Sequence, residues 1–302
     1  MLLLSLVGEQ PIPNLLPLWH AAEYTCVQFA ASRATLGVAR GLAETIRKDP
    51  QLKRLQVLEP LELAAYDIQA SRKALAAALV KHQLDGLETR LNLTGGTKLM
   101  SLAAVQAAFG SGVRLLYVST EENQVIHLAS DGYELERQPL KVNISVGQYL
   151  AAHGLEMSED PGFRPGARRF TAPPGEGSLL EEQVYRSAFQ SGFFDEVRRN
   201  VYIRKQTGGQ PVVNELDLMV TRNGRLAVCS CKAGKTVTKE NVYELASLSR
   251  RESAGIYCGK VLVSTQSELS AAVRHRAREM NVRLVYGAEV ANVAGHLYQA
   301  TR

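Results

Sequence analysis

Leu91-Asn92-Leu93-Thr94-Gly95-Gly96-Thr97-Lys98 leaves an apolar run, passes two glycines and enters a helical pattern in which Leu102, Val105 and Phe109 share a face. A strand that turns through glycine straight into a helix is the repeating unit of a parallel α/β sheet. In such sheets ligands bind beyond the carboxyl ends of the strands. The chemistry here suits an anion: Gly95 and Gly96 let the backbone approach closely, and helix-terminal amides point outward. Thr94, Thr97 and Lys98 add donors, and Asn92 closes the strand. The glycine spacing fits neither a Walker A loop nor a dinucleotide fingerprint. The plainer alternative is a tight turn with Thr94 as the helix N-cap.

Working outward, strands are expected at Leu2–Val7, Tyr24–Ala30, Arg54–Glu59, Leu87–Leu93 and Val113–Ser119. Between the second and third, Leu36, Ala39, Ala43 and Ile46 line one helix face. Near-continuous apolar strands alternating with helices indicate a parallel sheet covered on both sides. Two further loops then emerge at the same edge as residues 92–98. One follows the first strand and carries Gln10, Pro11, Pro13 and Asn14; the other carries Ser32 and Thr35. Val125–Leu128 and Tyr133–Arg137, flanking Ser130-Asp131-Gly132, are expected to form a hairpin.

At 302 residues the chain suits two domains. Residues 1–150 form the first; Pro161, Pro165, Pro173, Pro174 and interspersed glycines mark 151–177 as a linker, and 178–302 is the second. Helices at Leu179–Gln190, Lys239–Arg250 and Glu268–Met280 alternate there with strands at Lys260–Ser264 and Val282–Tyr286. No stretch approaches the roughly 18 apolar residues of a membrane span, so no membrane partner and a cytoplasmic location are expected. The four cysteines suggest neither disulfides nor zinc, Cys229 and Cys231 being taken to face opposite sides of a strand. From residue 151 onward there are 21 basic and 16 acidic residues, so the whole excess of +5 lies in the second half of the chain. That mild bias fits a polyanionic partner or a solvated surface equally.

In the second domain Asn214-Glu215-Leu216-Asp217-Leu218-Met219-Val220 alternates, and a strand ending at Cys229-Ser230-Cys231-Lys232 follows the Asn223-Gly224 turn. If that pair makes a two-residue type I′ turn, Asp217 faces Ser230 and Glu215 faces Lys232, with Cβ atoms roughly 5 Å apart. Two carboxylates and an amine then share one sheet surface. Such oxygens hold Mg²⁺ or Mn²⁺, with the Cys231 carbonyl as a further ligand. Lys232 would orient or help deprotonate an attacking water. The alternative is a Glu215–Lys232 surface ion pair worth under about 1 kcal/mol, which leaves Asp217 unexplained.

The loop after the first strand together with Asn-Leu-Thr-Gly-Gly-Thr-Lys at 92–98 resembles the CARF domain of type III CRISPR effectors, over about residues 1–145. The resemblance implies a Rossmann-like domain that forms a homodimer and binds a cyclic oligoadenylate, commonly cyclic tetra-adenylate. Leu-Glu-Glu-Gln-Val-Tyr at 180–185, Asn214-Glu215-Leu216-Asp217 and Cys231-Lys232-Ala233-Gly234 resemble the nuclease half of such effectors, with the α/β restriction-endonuclease-like PD-(D/E)xK fold. It implies metal-dependent cleavage of DNA or RNA, with Glu181 as the helical acid, Asp217 as central metal ligand and Lys232 as motif lysine. The pattern's acid two residues before the lysine is Ser230 here. Glu215, or Glu244 on the following helix as in some restriction enzymes, is expected to replace it. The alternative is a degenerate domain that binds nucleic acid without cutting it.

Overall fold

β1 (Leu2–Val7) is buried along all six residues, as an apolar run covered on both faces must be. The computed structural model describes residues 1–159, 176–205, 212–234, 236–248 and 254–302. They divide into two units, Met1–Val142 and Asn143–Arg302.

In the first unit β1 pairs in parallel with β2 (Cys26–Ser32) on one side and β5 (Thr89–Asn92) on the other. Beyond β2 lie β3 (Gln56–Val57) and β4 (Leu61–Leu63); beyond β5 lies β6 (Arg114–Ser119), all parallel. β7 (Gln124–Leu128) and β8 (Glu134–Pro139) extend the sheet antiparallel through the expected hairpin. The order β3-β2-β1-β5-β6-β7-β8 reverses direction at β1, so the loops after β1 and β5 diverge from a crevice. Leu2, Leu4 and Leu6 pack with Leu75 and Leu79 of α3 (Ile68–Leu84) and Met100, Ala103 and Ala104 of α4 (Lys98–Ala108). α1 (Ile12–His20) and α2 (Leu36–Lys48) also contact β1.

Three expectations are corrected here. The stretch 54–59 holds only the two-residue β3, and a second short strand, β4, follows Pro60, which has no N–H to continue a ladder. β2 begins at Cys26 and reaches Ser32. Residues 12–14, expected in a loop, open α1; a proline in a first helical turn forfeits only an N–H that has no partner within the helix.

The second unit starts with α5 (Val146–Ala152), closed by a Ser145–Gln148 capping box. β9 (Leu155–Ser158) pairs with β10 (Glu196–Lys205), and residues 143–158 pack with this unit. The remaining linker residues 160–175 lie outside the described ones. The sheet runs β14-β13-β12-β11-β10-β9, where β11 is Val212–Arg222, β12 Arg225–Lys232, β13 Cys258–Ser264 and β14 Arg283–Tyr286. β10, β11 and β12 are antiparallel, and β12, β13 and β14 parallel. α6 (Glu176–Gln190) contributes Leu180, Val184 and Ala188 to a core shared with Leu218, Val220, Cys229, Cys231 and α9 (Val293–Ala300). Cys229 and Cys231 therefore share a face, as a period of two requires; the expectation of opposite faces is wrong. α7 (Lys239–Leu248) and α8 (Ala271–Glu279) pack together, α7 against β13 and α8 against β14. Among the described residues no helix is long and apolar enough to cross a membrane.

His153, at the C-cap of α5, stacks on Tyr149 at 4.9 Å and places Nδ1 3.1 Å from the Tyr149 carbonyl oxygen. Burial lowers its pKa from 6.5 to about 4. The folded value lies below the unfolded one, so its stabilising contribution is present above pH 6.5 and is lost as pH falls towards 4. The loss amounts to roughly 2–3 kcal/mol. Chemical denaturation at pH 7.5 and 5 should show this loss in the wild type and a smaller one in His153→Gln.

Candidate functional site

At the carboxyl edge of the first sheet a buried polar network joins three elements. Ser5 of β1 donates to Asn14 Oδ1 of α1 at 2.9 Å and accepts from Asn92 Nδ2 of β5 at 2.9 Å. Ser5, Asn14 and Asn92 are all fully buried. Asn92 Oδ1 accepts from the Thr94 amide at 3.1 Å and its hydroxyl at 2.6 Å, and the Thr94 hydroxyl accepts from the Val118 amide at 2.8 Å. Asn14 and Asn92 thus use these side-chain groups to hold the loop. Asn92→Ala would strand several of these buried groups, with an expected cost of about 2–4 kcal/mol, readable from denaturation midpoints.

Thr97, not Thr94, caps α4: its hydroxyl accepts from the Met100 amide and donates to the Ala65 carbonyl at 2.7 Å. Thr35 donates to the Val7 carbonyl at 3.1 Å and accepts from the Ser32 amide at 3.0 Å, tying the second loop to β1. Ser32, Pro11 and Pro13 are buried; Gln10, Thr35 and Thr94–Thr97 are half-buried, and Lys98 is exposed. The exposed Glu9 and Arg33 and the loop around Ala65 border the same edge. Spacing gave no sign of Ala65, since a backbone carbonyl carries no residue signature.

The two glycines serve the loop itself. A Cβ on Gly95 would lie 2.0 Å from the Leu6 carbonyl oxygen, and Gly96 has φ +76°. Their absent side chains allow residues 93–97 to lie against β1, which brings the loop amides to the edge.

In the second unit Asn223 and Gly224 both have positive φ, +47° and +77°, the type I′ signature. The expected register holds from Arg222↔Arg225 to Leu218↔Cys229, where the ladder ends. Asp217 and Ser230 remain neighbours beyond it: Asp217 Oδ2 accepts from Ser230 Oγ at 3.2 Å and the Cys231 amide at 2.6 Å. Glu215 pairs instead with Tyr202 of β10.

Glu181 on α6 shows which charges converge. Its pKa is raised first by burial, then by the Asp217 and Glu215 carboxylates, while Lys232 and Arg199 oppose the rise. The Cys231 thiol is pushed up by the Cys229 sulfur, by burial and by the Asp217 and Glu181 charges. Arg199 is paired with Glu182 and lies 5.2 Å over the Tyr185 ring. Glu181, Glu215, Asp217, Cys231 and Lys232 thus gather at one end of the hairpin. Glu244 stands exposed on α7, with no hydrogen bond or ion pair among the described residues joining it to them.

Among the described residues no three His, Cys, Asp or Glu side chains come together closely enough to hold a metal by themselves. The donor set still fits a hard cation, because Mg²⁺ keeps several waters and needs only one or two carboxylates besides substrate phosphates. Carboxylates that burden one another are relieved by such a charge.

Other candidates are weaker. A cavity of about 180 Å³ in the first unit includes Tyr24, Arg90, Arg114 and His127, but Glu23 and Glu136 offset its arginines. It adjoins the starts of β2, β5 and β6, away from the crevice. The basic end of α8 is engaged locally: Arg276 pairs with Glu279 and lies over Tyr243, and Arg274 donates to the Leu269 carbonyl.

No curated protein matches the chain. Among solved structures, VC1899 from Vibrio cholerae aligns with a TM-score of 0.82 and 16% identity, covering 99% of this chain and 97% of that one. Can2 from Sulfobacillus thermosulfidooxidans, in complex with cyclic tetra-adenylate, aligns with a TM-score of 0.78 and 18% identity, covering 99% of both. A type III CRISPR defence DNA nuclease activated by cyclic oligoadenylate aligns with a TM-score of 0.63 and 22% identity, over 95% of this chain and 48% of that one. Identities this low establish a shared fold. Family models match in order along the chain: the Card1 CARF domain over residues 2–149 and the Card1-like endonuclease domain over residues 166–302. The chain therefore belongs to the CARF-domain nucleases, a Card1 CARF domain followed by a Card1-like endonuclease domain.

Proposed function

We propose that this chain is a cyclic tetra-adenylate-activated, metal-dependent endonuclease that cleaves DNA or RNA in type III CRISPR antiviral defence. The observation that carries the nuclease half is the convergence of Glu181, Glu215 and Asp217 with Lys232 at one end of the hairpin. Asp217, Glu181 and the Cys231 carbonyl would hold Mg²⁺ or Mn²⁺, which supplies charge stabilisation to the scissile phosphate. Lys232 orients the attacking water and helps take its proton. Glu215 adds negative charge beside it, and Glu244 is the remaining candidate for the acid that Ser230 replaces.

The ligand reading is supported by the crevice between β1 and β5 and by the Can2 structure holding cyclic tetra-adenylate. Gln10, Thr35 and Thr94–Lys98 would meet the ring. Pro11, Pro13, Asn14, Ser32 and Asn92 would act from behind, by holding the loops in place. A repetitive ring suits a homodimer, in which each protomer binds the same half. Ligand binding would shift the population towards the cleaving state. Such a protein would work in the cytoplasm.

The second reading, a degenerate domain that binds without cutting, has Ser230 in its favour. One assay separates them: plasmid, single-stranded DNA and RNA incubated with Mg²⁺ or Mn²⁺, with and without cyclic tetra- and hexa-adenylates. Cleavage requiring both metal and cyclic tetra-adenylate is expected. Binding without cleavage under every condition would favour the second reading.

A further inference from the structure

Ser230 stands where the nuclease motif has an acid, and its contacts point to a different task. Continued regularly, the hairpin would make Asp217 and Ser230 a non-hydrogen-bonded pair, and the Cys231 amide would donate to the Leu216 carbonyl. Instead the ladder stops at Leu218↔Cys229 and the Cys231 amide donates to Asp217 Oδ2 at 2.6 Å. The Ser230 hydroxyl donates to that same oxygen at 3.2 Å. Two donors from adjacent residues on one strand thus meet one carboxylate oxygen on the next. Both donors act on Oδ2, which restricts the carboxylate's rotation and leaves Oδ1 out of these two bonds.

We propose that Ser230 is a positioning residue, a hydroxyl clamp that works with the Cys231 amide to hold Asp217 Oδ2 so that Oδ1 is presented to the cation. This rests on the nuclease reading above. Hydrogen-bond partners of metal ligands orient those ligands and tune affinity. A serine also leaves the site one negative charge poorer than an acid would. The cation is therefore held weakly by the protein alone and more firmly once nucleic-acid phosphates contribute.

The test uses the full chain with cyclic tetra-adenylate, the cleaved substrate found above, and Mn²⁺ as the probe. Loss of the clamp typically costs about 10- to 100-fold in metal affinity or activity. Ser230→Ala should lower kcat by that factor, leave KM for nucleic acid nearly unchanged and raise the Mn²⁺ concentration for half-maximal rate. Ser230→Thr should restore all three. Direct Mn²⁺ binding without nucleic acid, followed by electron paramagnetic resonance, should be weak in the wild type and tighter in Ser230→Asp. Should Ser230→Ala fail to fold, Ser230→Cys keeps the shape with a poorer donor and carries the same expectation. Wild-type kcat and Mn²⁺ dependence in a folded Ser230→Ala would overturn the clamp while the nuclease stands. A wild type that cleaves nothing would overturn the nuclease reading itself.

Discussion

Asp217→Asn is expected to lower cleavage by about 10³-fold or more while cyclic tetra-adenylate binds with unchanged affinity. Asparagine keeps the volume and an acceptor for Ser230 and the Cys231 amide, so the hairpin end stays built. What it removes is the charge. The same substitution has an opposite effect on stability. Asp217 is one of the two carboxylates that raise the Glu181 pKa. A raised carboxylate pKa favours the protonated form, so the associated stability is lost as pH rises through the folded value. Asp217→Asn reduces that burden and should melt at or above the wild-type temperature at pH 8 in chelator. Lys232→Met, which removes a charge that opposes the rise, should be both inactive and less stable there. Full cleavage by either variant would remove these residues from the site.

The opposite signs arise because the site is a cluster of like charges, and only part of that cluster could be read from the chain. The hairpin register was legible because Asn223-Gly224 admits positive φ at both positions, and that conformation fixes the pairing. Glu181 was placed by resemblance alone: thirty-six residues before Asp217, nothing in local pattern says that α6 delivers it. The first sheet was legible from its apolar runs, yet α1 was missed because Pro11 and Pro13 mimic a loop. The buried structural role of Asn14 and Asn92 was hidden for a related reason. A polar side chain in a glycine-rich edge is taken to face solvent or ligand, and only the partner Ser5, in the middle of β1, converts both into interior groups. Likewise β9 lay hidden beside a proline- and glycine-rich stretch because an edge strand of four residues has too little pattern to declare itself.

Gly95→Ala should be the most damaging single methyl group in the first domain. Its Cβ would sit 2.0 Å from the Leu6 carbonyl oxygen, 3.0 Å from the Leu6 carbonyl carbon and 3.1 Å from the Gly8 amide nitrogen. All three are backbone atoms, and Leu6 lies in a fully buried strand paired on both sides, so it cannot give way. The loop must retreat instead. That breaks the bonds from Thr94 to Asn92 and from the Val118 amide to Thr94, for an expected cost of about 3 kcal/mol or more. It also withdraws the loop amides from the crevice, so cyclic tetra-adenylate binding should fail even in the fraction that folds. Gly37→Ala is the matched control: it adds the same methyl group on α2, where nothing lies within 4 Å. There the gain in helix propensity should stabilise by up to about 1 kcal/mol. Calorimetric melting and ligand titration of the two variants therefore separate position from composition. A Gly95→Ala protein that melts and binds like the wild type would show that the loop does not press on β1, and the ligand edge would have to be rebuilt from other residues.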